Sequence, residues 1–150
     1  PDLIILDEPF QGLDPVNVEA VRSIIRGLRD AGKTVVLSAH EMSQVEVLCE
    51  RIALINRGQI VLYGNLNEIK KQFAPNAIEI APPLSFEGWG EVRRAELIDG
   101  KQKVYLTESA TPRDLLKKIF ERGMMIDRFE MATASLDEIF VKVVKGDTHE

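Results

Sequence analysis

Two acidic side chains follow an apolar run close to the start of the chain. The residues from Leu3 to Leu6 are all aliphatic, and Asp7 and Glu8 come directly after them. Such a run is typical of a buried parallel strand, whose C-terminal end lies at the sheet edge where ligands bind. One carboxylate there can hold Mg²⁺ while its neighbour polarises an attacking water. The run by itself is equally compatible with a strand that ends in a solvated acidic turn.

A histidine follows the second strand that the sequence predicts. Thr34–Ser38 is continuous and rich in β-branched residues, which predicts another buried parallel strand, and His40 lies two residues beyond it. A lone histidine after a strand is more often a surface or core residue than a catalytic one. The ends of two neighbouring strands can nevertheless place Asp7, Glu8 and His40 around one phosphate group.

Two literal motif matches lack the context that their chemistry needs. Gly27–Thr34 satisfies the phosphate-loop expression G-x-x-x-x-G-K-T, but such a loop must follow a strand and open a helix. This segment ends a helix and leads into a strand, so the negative end of the helix dipole would repel a phosphate. His40 begins the zinc pattern H-E-x-x-H, but Gln44 stands at the second histidine position. We therefore expect neither a phosphate loop nor a zinc site here.

The elements that position these residues form a strand–helix–strand unit. Asp14 and Pro15 predict a helix start, because Asp is a preferred N-cap and Pro fits the first helical position. The helix is expected to end near Gly32. Its predicted apolar face consists of Val21, Ile24, Ile25 and Leu28. The elements predicted next are a short helix from Met42, a hairpin of Arg51–Asn56 with Gln59–Tyr63, a stop at Gly64, and a helix capped by Asn65 and Glu68 that runs to about Gln72.

The acidic residues and the histidine stand in segments that resemble one protein family. Leu6-Asp7-Glu8-Pro9 and the following Gly12-Leu13-Asp14-Pro15 resemble the Walker B segment and the D-loop of the ATP-binding-cassette (ABC) ATPases. Ser38-Ala39-His40-Glu41-Met42 resembles the switch loop, or H-loop, of the same family. The resemblance extends without a gap from Pro1 to about Phe73. It implies an α/β fold with an incomplete P-loop ATPase core of parallel strands.

The resemblance also implies a role for each side chain. Asp7 would hold Mg²⁺, Glu8 would act as general base toward water, and His40 would contact the γ-phosphate, so ATP and Mg²⁺ are the expected cofactors. The expected interface of an ATP-bound dimer includes Gly12, Leu13 and Asp14, of which Asp14 would couple the two sites. The implied partners are a second ATP-binding subunit and a membrane-spanning permease subunit. The implied location is cytoplasmic, at the inner face of the cell membrane through the permease.

Two further elements of an ABC ATP site are not found in the sequence: a phosphate loop with its lysine, and the glycine-rich signature motif. Both lie upstream of Walker B in the family, so we expect the chain to be a C-terminal fragment that is inactive alone. The family also places a phosphate-loop strand between Val35–Ser38 and Ile52–Ile55. Its absence would leave two strand edges unpaired. We expect such a chain to be poorly stable, to self-associate, or to pair those two strands directly.

The pattern changes after Pro75, which suggests domains at 1–74 and 75–150. The predicted elements of the second part are strands at Ala77–Ala81, Glu91–Ile98, Gln102–Thr107 and Met125–Met131, a helix from Thr111 with the apolar stripe Leu115, Leu116, Ile119 and Phe120, and a last helix from Ser135 to about Val144. They predict a small α+β domain with helices on one face of an antiparallel sheet. Trp89 is expected to fold onto its own small core; the alternative is a contact residue in a loop. Ser135–Lys142 resembles the closing helix of the accessory domain in many ABC exporter subunits; the alternative is an appendage with only a packing role.

Composition narrows the function classes. The net charge is −5, and acidic residues outnumber basic ones on both sides of Pro75, 10 to 8 before it and 14 to 11 from it onward. Nucleic-acid binding needs a positive field, so no nucleic acid is expected as a partner. Cys49 is the single cysteine, which excludes an internal disulfide.

The function expected from the sequence is the ATP-binding and hydrolysing subunit of an ABC transporter, most simply an exporter. One alternative is a soluble, non-transport ABC ATPase acting in translation or DNA maintenance. Another is an interaction module that retains the fold without catalysis. The intact Glu8 and His40 argue against the interaction module.

Overall fold

The computed structural model describes residues 1–146, which divide into two compact units. The first unit comprises Pro1–Ile69 together with the chain from Leu136 onward, and the second comprises Lys70–Ser135. The elements in chain order are β1 (Leu3–Asp7), α1 (Pro15–Asp30), β2 (Thr34–Ser38), α2 (Met42–Leu48), β3 (Arg51–Asn56), β4 (Gln59–Asn65), α3 (Leu66–Gln72), β5 (Ala77–Ala81), β6 (Val92–Ile98), β7 (Lys101–Leu106), α4 (Pro112–Glu121), β8 (Arg128–Met131) and α5 (Leu136–Gly146). None of the helices in residues 1–146 has the length and apolar character needed to cross a membrane.

The first unit contains two separate sheets of two strands each. β1 and β2 pair in parallel, and β3 and β4 form an antiparallel hairpin. β2 and β3 are therefore not paired in the structure. Direct pairing of these two strands was one of the outcomes expected for this chain. The sequence predicts buried strands for β1 and β2, but Leu3, Ile5 and Val36 are 52%, 72% and 51% exposed. Successive side chains of a strand point to opposite faces of the sheet. In residues 1–146 the face that carries Leu3, Ile5 and Val36 is exposed, and the opposite face is partly buried.

Helix α1 begins and ends where the sequence predicts. The Asp14 side chain caps its first turn, and α1 packs against β2 and α2. Of its predicted apolar face, Ile25 is buried, but Ile24 is 62% exposed, so the buried stripe is narrower than predicted.

A second correction concerns Gly64, which was expected to stop the hairpin. Strand β4 continues through it to Asn65.

Helix α5 belongs to the first unit, not to the one that precedes it in the chain. It contacts α2 and β4, and its Leu136 and Ile139 side chains are fully buried. The main-chain N–H of Leu136 donates a hydrogen bond to Oε1 of Glu46 on α2. The compact units therefore differ from the division at residues 74 and 75, because α5 finds its packing partners in the first unit.

The second unit is built on a four-stranded antiparallel sheet in the order β6-β7-β5-β8. Helix α4 contributes Leu115 and Ile119 to its core, and Trp89 is 5% exposed in the same core, as predicted. The complete cluster of buried residues is Ile78, Ile80, Trp89, Val104, Leu106, Ala110, Leu115 and Ile119. The predicted antiparallel sheet is thus confirmed. The predicted apolar stripe of α4 is wrong at Phe120, because the Phe120 side chain is 65% exposed.

Candidate functional site

Parallel pairing brings the C-terminal ends of β1 and β2 together. The register keeps the two strands in step up to Asp7, which lies opposite Ser38 on the exposed face of the sheet. Glu8 follows β1 and His40 follows β2, so both lie at the same edge. We call Asp7, Glu8, Ser38 and His40 the carboxylate edge.

The Ser38 hydroxyl connects the two acidic residues. Its Oγ donates a hydrogen bond to Oδ1 of Asp7 over 2.5 Å and accepts one from the main-chain N–H of Glu8 over 3.0 Å. The same N–H lies 3.2 Å from the carbonyl oxygen of Ser38. Glu8 has a φ of 45°, in the left-handed region that non-glycine residues rarely adopt. The contacts with Ser38 therefore hold Glu8 in a backbone conformation that its own preferences disfavour.

Glu8 reaches the histidine directly. Nδ1 of His40 lies 2.9 Å from Oε2 of Glu8, and the two side chains are 65% and 32% exposed. The hydrogen bond to Glu8, followed by the charge of Glu8, raises the pKa of His40; the charge of Glu41 adds to this, and partial desolvation opposes it. The raised pKa favours an imidazolium, in which both ring nitrogens carry a proton. With Nδ1–H directed at Glu8, Nε2–H is a second donor that can serve an anion.

The donor set of the carboxylate edge suits a magnesium ion that is held mainly by substrate. Within residues 1–146 the structure contains no group of three or more His, Cys, Asp or Glu side chains placed to hold a metal ion. Asp7 offers an exposed carboxylate, with one oxygen engaged by Ser38. Mg²⁺ commonly takes one or two carboxylates together with water and substrate phosphates. The residues therefore fit Mg²⁺ bound with a nucleotide better than a metal bound by the protein alone.

The residues expected at a dimer interface lie in an exposed turn and the start of α1. Gly12 has a φ of 76°, and Leu13 is 38% exposed. Oδ1 of Asp14 accepts hydrogen bonds from the main-chain N–H groups of Val16, over 2.9 Å, and Asn17, over 3.1 Å. The bond from the Asn17 main chain is the largest cause of the lowered pKa of Asp14. Asp14 thus caps the helix, and its role between subunits stays a prediction.

The segment that matches the phosphate-loop expression is a helix-to-strand turn, as predicted. Gly27 lies inside α1, and Thr34 begins β2. Nζ of Lys33 lies 3.0 Å from Oδ1 of Asp2. The lysine of the match is therefore paired with a carboxylate beside the start of β1.

Sequence reasoning missed Ser38 as a functional residue. Ser38 was assigned to the end of a strand and to the H-loop segment, without a role. The available signal was its position as the last residue of β2, two residues before His40. Its contact with Asp7 depends on the register between two strands that are about thirty residues apart, and a single sequence does not provide that register.

Residues 64–144 match the family described as "ATP-binding protein DrrA1-3-like, C-terminal domain". The chain belongs to this family. An uncharacterized ABC transporter ATP-binding protein of Alkalihalophilus pseudofirmus is 34% identical to this chain, over 96% of this chain and 55% of that protein. The resemblance to ABC ATP-binding proteins that the sequence indicated is therefore confirmed.

Two further relatives of this chain have names that mention drugs. The daunorubicin/doxorubicin resistance ATP-binding protein DrrA of Streptomyces peucetius is 29% identical over 94% of this chain and 46% of that protein. The fluoroquinolones export ATP-binding protein of Mycobacterium tuberculosis is 32% identical over 95% of this chain and 44% of that protein. The chain spans about half the length of the curated relatives it matches.

Proposed function

We propose that this chain is the C-terminal part of the ATP-hydrolysing subunit of an ABC exporter. The observation that carries the proposal is the meeting of Asp7, Glu8 and His40 at one sheet edge, with the Glu8 and His40 side chains 2.9 Å apart. Family membership supports this interpretation, because the family is described as ATP-binding.

Each side chain of the carboxylate edge suits one part of phosphoryl transfer, in which the protein mainly positions groups and stabilises charge. Asp7 would hold Mg²⁺, which neutralises phosphate charge when it is bound. Glu8 would accept a proton from the attacking water. His40, whose pKa is raised by its contact with Glu8, would in its protonated form donate Nε2–H to the γ-phosphate.

The residues described here would form only part of the ATP site. The resemblance implies a phosphate loop and a signature motif, and the only literal match to the loop forms the end of α1 and the start of β2. We propose that both come from residues other than these 150, and that the 150-residue chain alone does not hydrolyse ATP. A second ATP-binding subunit would complete the site.

Export is proposed from the names of two relatives, one linked to daunorubicin and doxorubicin resistance and the other to fluoroquinolone export. The expected partner is a membrane-spanning permease subunit, with the ATPase located at the cytoplasmic face of the membrane.

The test is substitution of the proposed base in the natural protein that carries this sequence. Glu8→Gln keeps the size and hydrogen-bonding capacity of the side chain but removes its basicity. We expect steady-state ATP hydrolysis to be abolished while ATP binding persists, so that an ATP-bound dimer accumulates. His40→Ala should reduce hydrolysis by roughly 10²–10³-fold, as expected when a contact that stabilises transition-state charge is lost.

The matched control is Glu87→Gln, the same chemical change at an exposed loop position of the second unit. Hydrolysis by this variant should equal that of the unsubstituted protein. Hydrolysis near the normal rate in Glu8→Gln would remove Glu8 from the role of base. A parent protein that binds no ATP would contradict the proposed function altogether.

A further inference from the structure

We propose that Ser38 is a positioning residue whose hydroxyl holds the Asp7 carboxylate and the Glu8 main chain in one fixed arrangement. The inference rests on the proposed function, because it assigns Ser38 to the same reaction. Ser38 would not touch substrate itself. It would act through the metal-binding and proton-accepting side chains beside it.

The hydrogen bonds at Ser38 use both capacities of a hydroxyl group. Oγ donates to Oδ1 of Asp7 and accepts from the N–H of Glu8, so one oxygen atom joins a side chain to the neighbouring main chain. The strand register supports both contacts, because Asp7 and Ser38 are direct partners in the parallel pair. A methyl group at the same place would remove the donor to Asp7 and would leave the Glu8 N–H only its 3.2 Å contact with the main-chain carbonyl oxygen of residue 38.

Of the two hydrogen bonds at the Ser38 hydroxyl, the one from the Glu8 main chain has the larger consequence. Glu8 is held at a φ of 45°, and its carboxylate lies 2.9 Å from the His40 ring. A left-handed backbone at a glutamate persists only when its surroundings impose it. Loss of the Ser38 hydroxyl should therefore let Glu8 relax and should free Asp7 to rotate away from one orientation.

The experiment compares two substitutions of the same size. Ser38→Thr keeps the hydroxyl and Ser38→Val replaces it with a methyl group, while both suit a β-strand. Thr34→Val is the control, because it makes the same exchange on the same exposed face of β2, about 13 Å away. ATP hydrolysis is measured in the natural protein as a function of MgATP and of free Mg²⁺. Hydrogen exchange of the Glu8 amide is measured by NMR in the same protein.

We expect Ser38→Val to lower kcat by roughly 10- to 100-fold, as misplaced reacting groups do, and to raise the Mg²⁺ concentration for half-maximal activity. Affinity for ATP without hydrolysis should stay within about threefold of normal. Ser38→Thr and Thr34→Val should keep near-normal kcat. The Glu8 amide should exchange faster in Ser38→Val only.

Equal losses in the Thr and Val variants would show that size at position 38 matters and the hydroxyl does not, which overturns the inference. Unchanged kcat, Mg²⁺ dependence and amide exchange in Ser38→Val would overturn it as well. If the unsubstituted parent protein hydrolyses no ATP, the proposed function fails. The amide-exchange comparison then still tells whether Ser38 holds Glu8, so the two failures are distinguishable.

Discussion

At the scale of single residues, the electrostatic interaction at the carboxylate edge depends on the charge state of His40. Its pKa is raised above the ordinary value of 6.5, mainly by the hydrogen bond to Glu8. A group whose pKa is raised by folding contributes its full stabilisation below the ordinary pKa and loses it as pH rises through the raised pKa. The Glu8–His40 attraction should therefore be complete below the ordinary pKa of 6.5 and weaken as the pH rises through the raised pKa. The exposure of His40 keeps this attraction modest.

Glu8→Gln should return the pKa of His40 toward its ordinary value, because the substitution removes the carboxylate that hydrogen-bonds to Nδ1. NMR titration of the ring protons in the natural protein measures this pKa, and the loss of signals in His40→Gln assigns those of His40. Glu41→Gln is the matched control. Glu41 acts on His40 through charge alone and is the weakest of the causes that raise the pKa, so the decrease should be smaller. An equal decrease in both variants would contradict the direct Glu8–His40 contact.

The site residues divide into those that the sequence indicates and those that it does not. Asp7, Glu8 and His40 follow from residue type and position, since each stands directly beyond an apolar strand. The role of Ser38 and the left-handed backbone of Glu8 do not follow in this way. Both depend on a parallel register between strands that are distant in the chain, and serine at a strand end is too common to indicate a function.

At the scale of elements, α4 shows how strongly local signals can agree. Thr111 accepts a hydrogen bond from the Asp114 N–H, and the Asp114 carboxylate accepts one from the Thr111 N–H, which completes a capping box. Leu115 and Ile119 then lie one turn apart and are fully buried in the core of the second unit. The start of α4, its direction and its buried face are therefore all specified by signals within about ten residues.

Leu115→Ala should destabilise the second unit by about 2–5 kcal/mol, because it leaves a cavity in a fully buried position. Leu97→Ala is the control: this β6 side chain is 68% exposed, and its loss should change stability by less than about 0.5 kcal/mol. The fluorescence of Trp89, the only tryptophan, reports urea unfolding of this unit. Similar midpoints for the two variants would contradict the assignment of Leu115 to the core.

Predictions from helical periodicity were least accurate at the edges of apolar stripes. Ile24 and Phe120 continue the 3.6-residue pattern of α1 and α4, yet they are 62% and 65% exposed. Periodicity identifies the centre of a buried face, but the width of that face depends on what packs against it. The exposed apolar residues of β1 and β2 have the same explanation. Their pattern correctly predicts strands, and it does not reveal how many faces are covered.

At the scale of the whole molecule, the second unit is inserted between two segments of the first. Chain order suggested that everything after Pro75 belongs together, and the last helix was assigned accordingly. Packing places α5 with α2 and β4, and the Glu46 carboxylate accepts the first N–H of α5. The amphipathic pattern of α5 predicts that one face is buried. It contains no information about which earlier element receives that face.

We expect the second unit to fold by itself without α5. A shortened protein that spans Lys70–Ser135 retains all four strands of the antiparallel sheet, α4 and the complete buried cluster around Trp89. It should therefore show dispersed amide signals and cooperative unfolding by Trp89 fluorescence. A protein that spans residues 70–150 is the comparison, since it adds α5 without its partners α2 and β4. Its Trp89 transition should have the same midpoint, because the buried Leu136 and Ile139 side chains of α5 pack in the first unit.

If only the longer protein folds, α5 stabilises the second unit, and the division at Ser135 is wrong. If both collapse without dispersed signals, the second unit needs the first in order to fold.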